Sequence, residues 1–129
     1  MSAPEETGVS SDVVATRQII LSGIVGLDSV LTVRADGTLH LDRIGGEGET
    51  RTVPPENVRP LIEALAKPEW QEVEDHYGVA VPDGYTIVVE GGGKQTSVAI
   101  PSEITEPTPP VLDEVLALLE GLWPVEDNM

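Results

Sequence analysis

Two runs of alternating apolar and polar residues flank the dipeptide Asp36-Gly37, and this arrangement constrains the fold more than any other stretch of the chain. In Ser29–Ala35, Leu31, Val33 and Ala35 share one side while Thr32 and Arg34 take the other. In Thr38–Ile44, Leu39 and Leu41 face inward, with His40 opposite. A side-chain period of two marks a strand with one face buried and one face wet. Asp-Gly adopts positive φ at little cost, so the spacing predicts a short hairpin. An isolated hairpin is marginal in water. Further elements must therefore cover its leucine face.

The flanking sequence supplies them. Val13–Leu21 is β-branched and partly alternating, which predicts a first strand. Ser22-Gly23-Ile24-Val25-Gly26-Leu27 then breaks it with two glycines. Gly45–Gly48 reads as a turn and Glu49–Val53 as a short fourth strand. Pro54-Pro55 opens a helix, with Val58, Leu61, Ile62 and Leu65 at helical spacing and Pro60 confined to the first turn. Lys67-Pro68 interrupts it, and Glu69–His76 is expected to add a further turn or two bearing Trp70 and Val73. Tyr77–Gly84 reads as a loop. A second hairpin follows, Tyr85–Glu90 and Lys94–Ile100 joined by Gly91–Gly93. Pro101–Pro110 is extended. Val111, Leu112, Val115, Leu116, Leu118, Leu119 and Leu122 then give a final helix a broad apolar face, ended by Gly121 and Pro124.

The expected class is α+β: an antiparallel sheet of about four to six strands in β-β-β(-β)-α-β-β-α order, with helices on one face. A single domain over residues 13–124 fits the length of 129 residues. Residues 1–12 are small, polar and acidic and are expected to be a disordered tail, as is the polar stretch 125–129.

Charge bounds the function. Lys plus Arg total 7 against 23 Asp plus Glu, a formal net charge of −16. Nucleic-acid binders need clustered cations to neutralise phosphate, and the seven here are scattered singly. The balance therefore points away from nucleic acid and anionic membranes, toward a protein partner. With no cysteine, thiolate chemistry and disulfides are excluded. No apolar run approaches a membrane span, which predicts no membrane insertion. Met1–Gly8 has neither the basic nor the apolar part of a signal peptide, so the chain as read is expected in the cytoplasm. A leader removed ahead of Met1 would instead place it outside the cell or on a lipid anchor.

Catalytic chemistry finds little to use. His40 and His76 are the two neutral-pH bases, and His40 faces outward from a strand. Ser22-Gly23 lacks the flanking small residues of a hydrolase elbow. Glu72 and His76 at i, i+4, with Asp75, would offer two or three metal ligands on one helix face, fewer than zinc ordinarily takes. Gly91–Gly93 lacks the following helix of a phosphate cradle. The reading is a non-enzymatic chain with no cofactor and no metal. Its most distinctive local feature is the glycine-bounded segment Ser22–Leu27, whose Ile24, Val25 and Leu27 either fold onto the core or are presented to a partner.

The order Ser22-Gly23-Ile24-Val25-Gly26-Leu27, Leu31-Thr32-Val33 and Asp36-Gly37 resembles the SGG-x-x-G start of the emfourin-like family of small bacterial proteins. Asp83-Gly84-Tyr85-Thr86-Ile87-Val88-Val89 and the terminal leucine-rich helix are similar to that family in the same order, over about residues 17–122. Ile24 stands at the second glycine of the pattern, and Tyr85-Thr86 stands where an aromatic-rich strand is usual. The family includes inhibitors of thermolysin-type metallopeptidases. The resemblance implies a protein-binding domain whose partner is such a peptidase. No motif of the family fixes its contact residues; the binding loop expected from the residues themselves is Ser22, Gly23, Ile24, Val25, Gly26 and Leu27, and against such a peptidase Ile24, Val25 or Leu27 would fill the pocket beyond the cleaved bond while acidic residues approach the catalytic zinc. The alternative, from the charge alone, is a structural or accessory protein of the cell envelope or of a larger complex, acting through a sheet edge or an acidic face.

Overall fold

A computed structural model describes residues 13–21, 29–43, 47–102 and 107–124. The expected tails and the Ser22–Leu27 segment lie outside the described residues. The fold is α+β. Strands β1 (Val13–Leu21), β2 (Ser29–Arg34), β3 (Thr38–Arg43) and β4 (Glu49–Thr52) come first. A 3₁₀ turn (Pro55–Asn57) and helices α1 (Arg59–Leu65) and α2 (Pro68–Gln71) follow. Then come β5 (His76–Tyr77), β6 (Ala80–Gly91), β7 (Lys94–Ser102) and the closing helix α3 (Pro110–Leu122).

The strands form one seven-stranded sheet in the order β4-β3-β2-β1-β6-β7-β5. Every neighbouring pair is antiparallel except β5 and β7, which run parallel. The sheet is therefore mixed and larger than the four to six antiparallel strands expected. The added strand is β5, two residues long, in which no alternation can be seen. Its direction follows from topology: the chain leaves β4 at one edge, crosses through the helices, and arrives at the other.

Alternation holds where it was read. Leu31, Val33, Leu39 and Leu41 are buried on one face, with Thr32, Arg34 and His40 on the other. The first hairpin is a three-residue loop, Ala35–Gly37, closed by the Gly37 N–H donating to the Arg34 carbonyl at 3.0 Å. Gly37 takes φ of 95°. Its carbonyl accepts from the Val53 N–H at 2.9 Å, so the turn also holds the end of β4. In the second hairpin Gly91 pairs with Lys94, and Gly92 and Gly93 both take positive φ, as a two-residue turn requires.

The inward residues Ala15, Ile19, Leu31, Val33, Leu39, Leu41, Ile87 and Val89 share one core with Leu61, Ala64 and Leu65 of α1, Trp70 of α2, and Leu112, Val115 and Leu119 of α3. Prolines set the helix limits. Pro60 and Pro110 sit in the first turns of their helices. Lys67, before Pro68, is extended (φ −69°, ψ 141°) and separates α1 from α2. Trp123, before Pro124, is likewise extended and ends α3.

Two expectations for residues 69–84 are corrected. The second helix stops at Gln71, so Glu72 and His76 are not i, i+4 partners on a helix. Trp70 Nε1 donates to the Gly91 carbonyl at 2.8 Å and Gln71 Nε2 to the Gly92 carbonyl at 2.7 Å. These bonds pin the short helix to the β6–β7 turn. Asp83-Gly84, expected in a loop, lies inside β6, which starts at Ala80 and has an irregular register between Ala80 and Tyr85.

Two glycines predict opposite outcomes. A Cβ on Gly37 would stand 2.0 Å from the Val53 carbonyl oxygen in a left-handed backbone. Gly37→Ala should therefore lower the stability read by urea unfolding by about 2–3 kcal/mol. A Cβ on the helical Gly121 meets nothing within 4 Å. Gly121→Ala should raise stability by about 0.5–1 kcal/mol in the same assay.

Candidate functional site

The strands on either side of Ser22–Leu27 are paired up to their ends. Leu21, the last residue of β1, pairs with Tyr85, and Ser29, the first of β2, pairs with Ile19 and Arg43. The six predicted site residues themselves fall outside the described residues.

The two histidines lie on strands. His40 is on the outer sheet face, its side chain 41% exposed, with Nδ1 2.7 Å from Thr50 Oγ1 and Nε2 3.0 Å from Asp42 Oδ1. On the opposite, core-facing side of the sheet, Arg51 and then Arg43 hold the Glu49 carboxyl below its ordinary pKa through hydrogen bonds and charge. His76 is on the edge strand, its Nδ1 2.5 Å from Ser97 Oγ. This serine–histidine pair was not visible in the sequence, because the partners are joined only through the β5–β7 pairing. Nucleophilic catalysis also needs a third group to orient the base. The neighbouring Asp75 carboxylate is instead fully turned to solvent, 4.0 Å from Lys94 Nζ. Among the described residues no group of three or more potential ligands is placed to hold a metal ion. No helix among them is long and apolar enough to cross a membrane.

A cleft of about 660 Å³ lies between α2 and the start of α3. Glu69 of α2, Glu72 and Glu74 of the segment after it, and Glu114 of α3 line it. Tyr77 of β5 lies in the same wall, and its hydroxyl accepts from the Glu74 N–H at 2.9 Å, which holds that turn in shape. Pro107, Pro109 and Pro110 form the facing ridge, with few backbone donors and little conformational freedom to lose. The lining thus carries four carboxylates against one cation, Lys67. These residues come from two stretches of the chain, 67–77 and 107–114, which only the fold brings face to face.

Lys67 Nζ meets Glu114 Oε1 at 2.7 Å and ties the α1–α2 link to α3 across the cleft. That hydrogen bond first, then the charge of Glu114, raises the Lys67 pKa above its ordinary value. The sign is that of a raised base: the pair's contribution is complete below the ordinary lysine pKa and is lost as pH rises through the elevated value.

No protein-family model matches the chain, and no curated protein matches it significantly. The functional reading therefore stands on the residues themselves.

Glu114→Gln should return the Lys67 ammonium toward the ordinary lysine pKa, measured by NMR titration of its side chain. An unchanged titration would show that the pair does not persist in solution.

Proposed function

We propose that this chain is a non-enzymatic protein-binding domain that grips a cationic segment of its partner. The observation that carries the reading is the cleft lined by Glu69, Glu72, Glu74 and Glu114 and faced by a proline ridge. A concave, largely preformed surface loses little entropy on docking. Clustered carboxylates in a chain of net charge −16 raise the local concentration of positive partners and speed their encounter. The emfourin-like resemblance names the partner class to test first, a thermolysin-type metallopeptidase. In that complex Ser22–Leu27 would enter the peptidase and the cleft would engage basic surface beside it.

Two measurements test this. The full chain should inhibit at least one of a panel of thermolysin-type peptidases at micromolar concentration. Its binding should weaken as salt rises from about 0.05 to 0.5 M, because surface charge is screened within a few ångströms there. Glu72→Gln with Glu74→Gln should reduce the association rate several-fold with little change in fold, since both residues are exposed. Binding that ignores both salt and these substitutions would remove the cleft from the interface. An uninhibited panel would remove the peptidase and leave the accessory-protein reading for the same acidic face.

A further inference from the structure

Asp42, His40 and Thr50 are joined by hydrogen bonds on the outer face of the sheet, away from the helices. His40 and Asp42 lie two residues apart on β3, so they share that face. Thr50 is directly opposite His40 on β4. His40 Nε2 stands 3.0 Å from Asp42 Oδ1, and Nδ1 stands 2.7 Å from Thr50 Oγ1. A carboxylate only accepts, so in the neutral imidazole Nε2 carries the proton and donates to Asp42. Nδ1 keeps its lone pair and accepts from the Thr50 hydroxyl. A hydroxyl, a base facing it and a carboxylate orienting the base are the parts of an activated nucleophile. His76 and Ser97 supply only the first two; here all three meet.

The backbone supplies a fourth part. The Val53 N–H donates to the carbonyl of Gly37, one step beyond the Thr38–Thr52 pair. Bonded and non-bonded pairs alternate along an antiparallel ladder, so His40 and Thr50 form a non-bonded pair. Side chains stand closer in such pairs, which accounts for the short contact. The Thr50 N–H consequently points away from β3. β4 is the edge of the sheet, and no strand lies beyond it among the described residues. That N–H is placed to donate to an oxyanion formed on a carbon bonded to the Thr50 oxygen. Gly48 lies against the pair: a Cβ there would stand 3.3 Å from His40 Cε1 and 3.4 Å from Asp42 Oδ1. As glycine it adds no side chain of its own over them.

We infer that Thr50 is a site of self-acylation, taking an acyl group from a small activated ester or thioester. Thr50 Oγ1 attacks the acyl carbonyl while its proton passes to His40 Nδ1. The bond from the acyl carbon to the leaving oxygen or sulfur breaks, and the leaving phenolate or thiolate takes that proton. An acyl-threonine ester remains. Its own leaving group is an alkoxide, poorer than that of the donor, so the product accumulates rather than turning over. His40 and Asp42 are 41% and 69% exposed, so the trio favours a reactive donor over a tightly held substrate. Asp42 is a positioning residue. This inference is independent of the acidic cleft and of any protein partner, and a single acylation leaves the non-enzymatic reading in place.

Thr52 provides an internal control: it is exposed on the same strand and face, but lies opposite Thr38 rather than a histidine. The full chain is incubated with p-nitrophenyl acetate at neutral pH, and acetyl groups are located and timed by tandem mass spectrometry. Thr50 should be acetylated about a hundredfold faster than Thr52, the size of a general-base effect. His40→Gln should bring Thr50 down to the Thr52 rate. Asp42→Asn should slow Thr50 several-fold and Asp42→Glu should restore most of that loss, with Thr52 unchanged in all three. Thr50 reacting no faster than Thr52 would overturn the proposal, and that comparison needs no variant. A Thr50 rate indifferent to His40→Gln would overturn it as well.

Discussion

The indole of Trp70, buried and donating to the Gly91 carbonyl at 2.8 Å, closes the passage on which the architecture depends. The sheet has one apolar face, and the chain must carry cover across it from the β4 edge to the β5 edge. The stretch between those edges holds the 3₁₀ turn, α1 and α2, and it is anchored where α2 meets the β6–β7 turn. The approach is close enough to need glycine: a Cβ on Gly91 would stand 2.8 Å from Leu65 Cδ1, and one on Gly92 would stand 2.7 Å from the Leu65 carbonyl oxygen. A side chain at Gly92, where the backbone also takes positive φ, would press on the backbone at the end of α1. Leu61, Ala64 and Leu65 of that helix are buried against the sheet.

A second constraint is the scarcity of cations. Those the structure describes are largely occupied within the fold. Arg51 stacks 3.8 Å above the Trp123 ring and also meets Glu49 at 3.0 Å. Arg43 joins the same carboxylate at 3.5 Å, Lys67 clasps Glu114, and Arg17 is buried beneath α3. Most carboxylates are left facing water. The result is a surface that repels polyanions and attracts positive segments, with the glutamate-lined cleft its most concave part. The cations that hold the fold together are also what leave the outside so strongly acidic.

Legibility in the sequence followed periodicity. The first hairpin, β1 and α3 each repeat an apolar pattern long enough to declare a face, and the structure places those faces in the core. Residues 69–84 misled because Trp70 and Val73 sit at helical spacing. The chain there is governed instead by bonds to distant residues: Trp70 and Gln71 to the β6–β7 turn, and the Thr96 hydroxyl to the Glu74 carbonyl. Arg17 had a readable signal, since Ala15, Arg17 and Ile19 alternate with Thr16 and Gln18. Strand parity turns it inward despite its charge.

The sequence by itself determined the class of the fold, the outward face of His40 and the acidic character of the surface. These depend on local period and composition, which neighbouring residues carry without reference to the rest of the chain. Only the tertiary structure decided the parallel edge strand, the pairing of Lys67 with Glu114, and the burial of Arg17 beneath α3. Each of these joins residues far apart in the chain, and such contacts form only when the apolar face of the sheet draws the helices across it.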